Sequence, residues 1–306
     1  MITATPPTST QTNLRAWAPQ EKSSRSQFRK RLSGGFEYLC LGVTLLAFAA
    51  LVWLMWGILR DGAPHLNANF FTSFWSRFPE KAGIKAPLIG SLWVLGLTFA
   101  FAVPVGVGSA IYLEEYAERS AFARFVQMNI ANLAGVPSVV YGILGLALFV
   151  RVLKFDHSIL SAGLTLGLLV LPVIIIAAQE ALRSVPSSLR DGSYALGATR
   201  WQTISKQVLP VAMPGILTGI ILSLARAVGE TAPLIMVGAV VSTFKTPSGL
   251  SDQFAALPIQ IYHWTQDPKV EFKALAAAAI IVLLAVLLLM NGLAIWLRHR
   301  YNKRLG

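Results

Sequence analysis

The sequence predicts an all-α membrane protein whose chain crosses the bilayer six times. Hydrophobic residues make up 55% of the 306 residues and charged residues only 13%, whereas about a quarter of the residues in a soluble domain are charged. The mean hydropathy is +0.60, and the apolar residues occur in runs long enough to cross about 30 Å of hydrocarbon as helices. The net charge of +12 comes from short segments that flank these runs, which excludes a nucleic-acid-binding interpretation.

The spans can be assigned in chain order. Residues 1–35 are rich in Ser, Thr, Pro, Gln, Lys and Arg without an apolar period, which predicts a disordered tail. The run Phe36–Leu59 is too long for the core of a cleaved signal, so we interpret it as a retained first span. The second span, Leu88–Tyr112, and the third, Phe125–Val150, contain prolines and glycines that predict kinks and close helix contacts. The remaining predicted spans are Ile159–Ala178, Val211–Val241 and Ala274–Leu297.

The distribution of basic residues predicts which ends of the spans face the cytoplasm. Of the 26 lysine and arginine residues, sixteen lie in the tail, the second-to-third link, the fourth-to-fifth link and the C-terminal end, and nine lie on the other side. Because cytoplasmic loops carry the excess of Lys and Arg, we expect both termini in the cytoplasm. The outer segments Arg60–Pro87 and Ser242–Lys273 are rich in aromatic residues, which form either an interfacial belt or a landing surface for an extracytoplasmic binding protein.

A polar segment between the fourth and fifth spans predicts two short helices. Ser188–Asp191 fits a capping box at the start of the first helix, and Gly197 is placed to end that helix in the left-handed conformation. Thr199–Gln202 fits a second capping box, and Leu209–Pro210 leads the second helix into the fifth span. A helix, a glycine stop and a helix at the membrane surface form a docking element that a soluble partner can grip in a groove.

This segment resembles the cytoplasmic coupling loop, or EAA loop, of ABC importer permeases, whose pattern is E-A-A, three residues, G, nine residues and I-x-L-P. The residues at its matching positions are Asp191, Gly192, Ser193, Gly197, Leu209 and Pro210, and Gln207 stands where isoleucine is usual. We name residues 183–210 the coupling loop. The resemblance implies a type I ABC importer permease (MetI-like) bundle over residues 36–300 and a short cytoplasmic end at 301–306. It also implies that ATP is bound by a partner subunit and that this chain holds no cofactor.

Two charged residues, Arg226 and Glu230, lie inside the fifth span, and their spacing places both on one helix face. An arginine at a helix centre costs about 2.5–3.5 kcal/mol on insertion scales, so such a group usually faces a protein interior or an aqueous path. Chemistry alone leaves open a structural salt bridge and an anion site in which Glu230 is the resting partner of Arg226. An intramembrane enzyme has little support, because the sequence contains no Walker loop, zinc motif or nucleophile with a readable partner.

The run A-R-A-V-G-E-T-A-P at 225–233 is similar to the signature of phosphate-importer permeases of the PstA type. The runs at 136–142, 257–262 and 290–295 agree with this resemblance. It implies a phosphate path formed by Arg226, Glu230, Thr231 and Ser138.

The same resemblance implies a multi-pass protein of the bacterial inner membrane with several partners. These are a second permease of the PstC type, a dimer of ATP-binding subunits of the PstB type, and a periplasmic or lipid-anchored phosphate-binding protein of the PstS type. Two alternatives stay open: a permease for another oxyanion, such as molybdate or sulfate, and a membrane scaffold that senses phosphate.

Overall fold

The computed structural model describes residues 24–117, 120–239 and 245–302, and all regular elements in these ranges are helical. The first helix, α1 (Ser24–Gly62), belongs as far as Trp56 to a compact unit of its own. Its apolar side chains are exposed, with Trp53 at 81%, as expected for a helix surrounded by lipid. The helix includes residues 24–35, which the sequence predicts to be disordered; no proline interrupts this stretch, and residues 29–32 are good helix formers. The rest of the predicted tail, 1–23, lies outside the described residues.

Two long apolar helices form the centre of the second unit, which begins at Gly57. After the short α2 (Ala68–Thr72), α3 (Lys85–Ile111) packs along the length of α6 (Ile159–Arg183). The hydroxyl group of the fully buried Thr98 lies 3.1 Å from the Gly163 carbonyl oxygen of α6, so this polar group is satisfied within the apolar interface. These helices correspond to the predicted second and fourth spans.

The predicted third span is a bent pair of helices, not one continuous helix. α4 (Ala121–Ala134) and α5 (Ser138–Gly145, continued by a π turn to Val152) meet at an angle of 105°. Pro137 has no N–H group and disfavours helical geometry at the residue before it, so α4 ends ahead of this proline. Across the break, the Tyr141 hydroxyl group donates over 2.9 Å to the Leu133 carbonyl oxygen, which also accepts from the Val136 N–H group over 3.0 Å, so the end of α4 is bonded to α5.

The coupling loop contains one separate helix, α7 (Ser187–Ala195), and the start of a much longer one. α8 (Arg200–Thr203) continues through a π turn, Ile204–Val208, directly into α9 (Leu209–Gly229). The second helix of the loop is therefore the first part of the fifth span. Pro210 is tolerated near this junction because the wider π turn relaxes the backbone that its ring would otherwise crowd.

The fifth span is also interrupted where the sequence predicts a continuous helix. The chain leaves α9 at Glu230 and Thr231, and the short α10 (Ala232–Val237) follows. Pro233 cannot donate to the carbonyl group four residues earlier, and its ring crowds that carbonyl, so the helix cannot continue through it. The predicted end of this span, residues 240–241, lies outside the described residues.

At the opposite end of the second unit from the coupling loop, α11 (Leu257–Gln266) packs on α12 (Val270–Asn302), which in turn packs on α9. Trp264 stacks on Phe272 with ring centroids 6.2 Å apart, and Phe70 packs on the same cluster. Phe70 and Trp264 are each only 2% exposed. The sequence predicts that the aromatic residues of these segments form an interfacial belt or a landing surface. Phe70 and Trp264 form neither, because both are buried in the core.

The predicted fold class is confirmed by the helices as a set. Within the part of the chain that the structure describes, five helices are long and apolar enough to cross a membrane, and the bent pair α4–α5 raises the number to six when it is counted as one span. These five are α1, α3, α6, the continuous helix of α8 and α9, and α12.

Candidate functional site

The first helix of the coupling loop lies open to solvent. The predicted E-A-A positions, Asp191, Gly192 and Ser193, lie in the middle of α7, and this helix buries none of its residues. No capping box forms at Ser188–Asp191, because the helix begins at Ser187 with Pro186 as its N-cap. Ser188 is thus already inside the first turn and cannot cap it.

Gly197 ends α7 as predicted. Its φ angle of +79° lies in the left-handed region. The Gly197 N–H group donates to the Tyr194 carbonyl over 2.9 Å, and the Ala198 N–H group donates to the Ser193 carbonyl over 3.2 Å. These two bonds are those of a Schellman motif, which satisfies the last free carbonyl groups of a helix. No atom lies within 4 Å of the position a side chain would take at Gly197, so backbone geometry rather than space requires glycine.

The second predicted capping box is present at the start of α8. The Thr199 hydroxyl group accepts from the Gln202 N–H group over 3.4 Å, and the Gln202 side chain accepts from the Thr199 N–H group over 2.8 Å. The hydroxyl groups of Ser193 and Thr203 lie 2.9 Å apart and join α7 to α8. The structure therefore holds the two helices of the loop as one piece.

A groove of about 570 Å³ lies between these helices. It is lined by Leu189 and Gly192 from α7 and by Gln202, Lys206 and Gln207 from the start of the long helix. Leu196, also in its lining, is 90% exposed at the end of α7. A groove with an exposed leucine at its edge can receive a side chain of a protein partner.

Arg226 and Glu230 lie at the break in the fifth span. Arg226 occupies the last turn of α9, whereas Glu230 is already in extended backbone beyond the helix, so the two do not share the face of a continuous helix. The Glu230 side chain turns back, and its Oε1 atom lies 3.3 Å from Arg226 Nε. The Arg226 side chain is 47% exposed and that of Glu230 is 16% exposed. The predicted ion pair is therefore present, but it forms at the end of a helix and not along the face of a continuous one.

The two breaks in the bundle are neighbours because α10 packs against α5. Gly142 allows this approach: a Cβ atom at this position would lie 2.8 Å from Pro233 Cα and 3.0 Å from Met236 Cβ. Tyr141, one residue earlier, interacts electrostatically with Arg226 and bonds across the other break to Leu133. Irregular backbone of this kind is tolerated within a membrane only where protein or an aqueous cavity surrounds it.

The structure places the other two predicted path residues beside these breaks. Ser138 is the first residue of α5, and Thr231 precedes α10, where its hydroxyl group lies 3.5 Å from the Gly229 carbonyl oxygen. Within the described ranges, no hydrogen bond joins either hydroxyl group to Arg226. Tyr141 is a path candidate that we did not select from the sequence, although it lies one turn after Ser138 in the same short run.

A second missed group is the run Glu114–Tyr116, which contacts the coupling loop and the end of α6. Its sequence signal was an acidic pair at the end of a predicted span that the charge distribution predicts to be cytoplasmic, on the same side as the basic coupling loop. For cofactors, the described residues contain no group of three or more His, Cys, Asp and Glu side chains that could hold a metal ion.

Sequence comparisons relate the chain to transport proteins. The family model for the binding-protein-dependent transport system inner membrane component matches residues 102–303. The phosphate transport system permease protein PstA 1 of Mycobacterium tuberculosis (strain ATCC 25618 / H37Rv) is 36% identical over 265 residues, covering 85% of each chain. The phosphate transport system permease protein PstA of Haemophilus influenzae is 31% identical over 272 residues, covering 88% of this chain and 94% of that protein.

Solved structures share the fold at low identity. A chain of a bacterial alginate ABC transporter, in complex with an alginate pentasaccharide-bound periplasmic protein, has a TM-score of 0.61 at 16% identity and covers 90% of this chain and 96% of its own length. A chain of the MetNI methionine ABC transporter in an inward-facing conformation has a TM-score of 0.56 at 19% identity. The match covers 71% of this chain and 96% of that one. At these identities the likeness concerns the fold alone.

Proposed function

The chain belongs to the family of binding-protein-dependent transport system inner membrane components, as a multi-pass permease subunit of an ABC transporter, and on this premise we propose that it carries inorganic phosphate. The relatives named as phosphate permeases support this substrate. Subunits of this kind are not themselves enzymes, and we propose that ATP is hydrolysed on a partner.

The proposal depends mainly on one feature of Arg226. Its Nε atom is used by Glu230, whereas no bond from either Nη atom is present among the described residues. A guanidinium group with its outer nitrogen atoms available can bind two phosphate oxygen atoms at once, with a planar geometry that a lysine cannot match. Since the side chain is half exposed on this chain alone, phosphate could approach it from the side that a second permease would face.

Glu230 gives this site a resting state. A lone arginine inside the membrane is costly, so a carboxylate that neutralises it stabilises the empty permease. Phosphate would compete with Glu230 for the guanidinium group and would be released when the carboxylate returns. We propose that Tyr141, Ser138 and Thr231 complete the path with hydroxyl groups, which can donate to phosphate oxygen atoms as it passes.

We propose that the coupling loop receives the ATP-binding subunits. The groove between α7 and α8 and the exposed Leu196 support docking there. A PstB-type dimer would bind the coupling loop on the cytoplasmic side of the membrane, where both termini of the chain would also lie. A PstS-type phosphate-binding protein would bind on the opposite side. A PstC-type permease would complete the path. ATP-driven closure of the dimer would then move the loops and shift the pair between inward-facing and outward-facing populations.

One experiment tests substrate and assembly together. The chain is co-purified with its three kinds of partner, reconstituted in lipid, and assayed for ATP hydrolysis with phosphate, sulfate or molybdate bound to the cognate binding protein. We expect stimulation by phosphate and little by the other oxyanions. Stimulation by sulfate or molybdate instead would reassign the substrate, and failure of an ATPase to co-purify would contradict the docking role.

A further inference from the structure

Three consecutive residues at the end of α3 contact three consecutive parts of the chain. Glu114, Glu115 and Tyr116 lie in the π turn Tyr112–Tyr116, where the wider backbone ends the helix. Glu114 binds the end of α6, Glu115 binds α7, and Tyr116 lies beneath a side chain of α8. A π turn alters the directions of successive side chains relative to a regular helix and often occurs at functional positions.

The contact with α6 is a planar ion pair. Arg183 donates from Nη2 to Glu114 Oε1 over 2.6 Å and from Nε to Oε2 over 2.9 Å. The Gln179 side-chain amide adds a third bond to Glu114 Oε1, over 2.9 Å. Such a two-point pair has a defined orientation. It fixes the end of α3 on the end of α6, immediately before the coupling loop begins to leave the bundle.

The contact with α7 is more buried. Arg190 Nη2 lies 2.7 Å from Glu115 Oε1, and the side chains are 21% and 7% exposed. The same guanidinium group donates to the carbonyl oxygen atoms of Val185, over 2.8 Å, and Leu182, over 3.0 Å. Arg190 therefore joins α7 to α3 and to the residues that end α6. Beside it, the Arg200 guanidinium carbon lies 5.1 Å from the centre of the Tyr116 ring and adds a cation–π contact with α8.

These polar bonds matter because α7 has little else to hold it in place. The helix buries none of its residues, so apolar packing does not anchor it to the bundle. A force on α7 can pass to the spans along the backbone through the buried Val185 into α6, through α8, or through Arg190. The α8 route leads into α9 and reaches the end of α3 through the cation–π contact of Arg200 with Tyr116, whereas Arg190 binds the end of α3 through a buried ion pair.

We propose that the Glu115–Arg190 pair is the link by which the coupling loop moves α3, so that α3 and α9 shift together when the loop is displaced. The proposal rests on the proposed function, since it assigns Glu115 and Arg190 a positioning role in ATP-driven transport. Glu114 and Tyr116 hold the same helix end in register with α6 and α8. Without the pair, displacement of the loop would move α9 while α3 lagged behind.

The test uses the assembled complex in lipid. Spin labels are attached to Val105→Cys on α3 and Ser187→Cys on α7, in a chain whose Cys40 is replaced by serine, and their separation is measured without nucleotide and with trapped ATP. With the native pair, we expect the separation to be the same in both states, because α7 and α3 move as one piece. With Glu115→Gln or Arg190→Gln, we expect it to change on ATP binding.

The matched control is Glu180→Gln, which removes a carboxylate whose ion pair with Arg183 stays within α6. In all variants, the amount of chain in the membrane and the amount of co-purified ATPase are measured first. We expect both single variants, but not the control, to lower phosphate taken up per ATP hydrolysed by about tenfold, within the range found for coupled sites. The double variant Glu115→Gln with Arg190→Gln should lose no more than Arg190→Gln alone, because both single changes break the same ion pair and Arg190→Gln already removes the bonds to Val185 and Leu182.

Three outcomes overturn the link: a separation that changes with ATP in the native chain, a separation that stays fixed in both single variants, or additive losses in the double variant. These label distances require ATP but not phosphate. If the native complex shows the expected distances and takes up no phosphate, then the substrate proposal fails while the link stands.

Discussion

Replacement of Arg226 distinguishes an anion site from a structural salt bridge. The change Arg226→Gln removes the only charged group we propose to meet phosphate, and leaves the coupling loop untouched. Hydrogen bonds to charged groups contribute about 1.5–3 kcal/mol each, and the lower value is appropriate because the side chain is 47% exposed. Two such bonds correspond to about 3 kcal/mol, so we expect uptake to fall roughly 150-fold. Arg226→Lys keeps the charge and one bond, so we expect a fall of roughly tenfold.

The single change also leaves Glu230, only 16% exposed, without its partner. An unpaired buried carboxylate destabilises a fold by itself, so reduced uptake in Arg226→Gln alone does not identify the role of the arginine. The double change Arg226→Gln with Glu230→Gln removes both charges. If the pair only stabilises the fold, the double variant should recover transport. If Arg226 binds phosphate, the double variant should assemble well and still fail to transport.

The assay is uptake of labelled phosphate by cells that depend on this importer alone, with membrane levels and co-purified ATPase measured in parallel. Arg151→Gln is the matched control, because it removes an exposed arginine near the end of α5 and breaks no ion pair within the described residues. We expect this control to transport normally. Recovery of uptake in the double variant would reject the anion site and leave the pair as structure only.

Three further predictions concern assembly and topology. Gly197→Val should introduce backbone strain of about 1–3 kcal/mol, because valine is strained at a φ of +79°. It should therefore lower the recovery of ATPase in the co-purified complex or uncouple ATP hydrolysis from uptake. Normal ATPase recovery with normal coupling would refute the coupling role. Gly142→Val should separate α5 from α10 and lower both thermal stability and uptake, because even a Cβ atom would lie 2.8 Å from the Pro233 backbone; an unchanged melting temperature would contradict the close approach. In a chain with Cys40→Ser, an impermeant thiol reagent applied from outside should label Glu80→Cys and not Ser188→Cys; the reverse pattern would overturn the charge-based orientation and the loop assignment together.

Local chemistry made much of the fold predictable. Apolar runs long enough to cross hydrocarbon located the helices, because every backbone polar group in the membrane must be satisfied within its own segment. Gly197 and the Thr199–Gln202 box were also readable, since a helix end depends on a few residues close in sequence. The Arg226–Glu230 pair was predicted from a spacing of four residues, and the contact exists at 3.3 Å. In each case the interacting groups lie within about one helical turn of each other.

The tertiary structure decided the features that join distant parts of the chain. Proline signals predicted a kink at Pro137 but no break at Pro233, and only packing shows that the two breaks lie side by side, where Gly142 admits the second helix. The partners of Glu114 and Glu115 are 65 to 75 residues away, and a sequence cannot say which basic residue a carboxylate will meet at that separation. A helix end is determined by its nearest neighbours, whereas a contact between spans depends on how whole helices pack. For that reason the sequence alone determined where the apolar spans lie and where Gly197 ends the first helix of the loop, and the folded bundle determined the arrangement of the site.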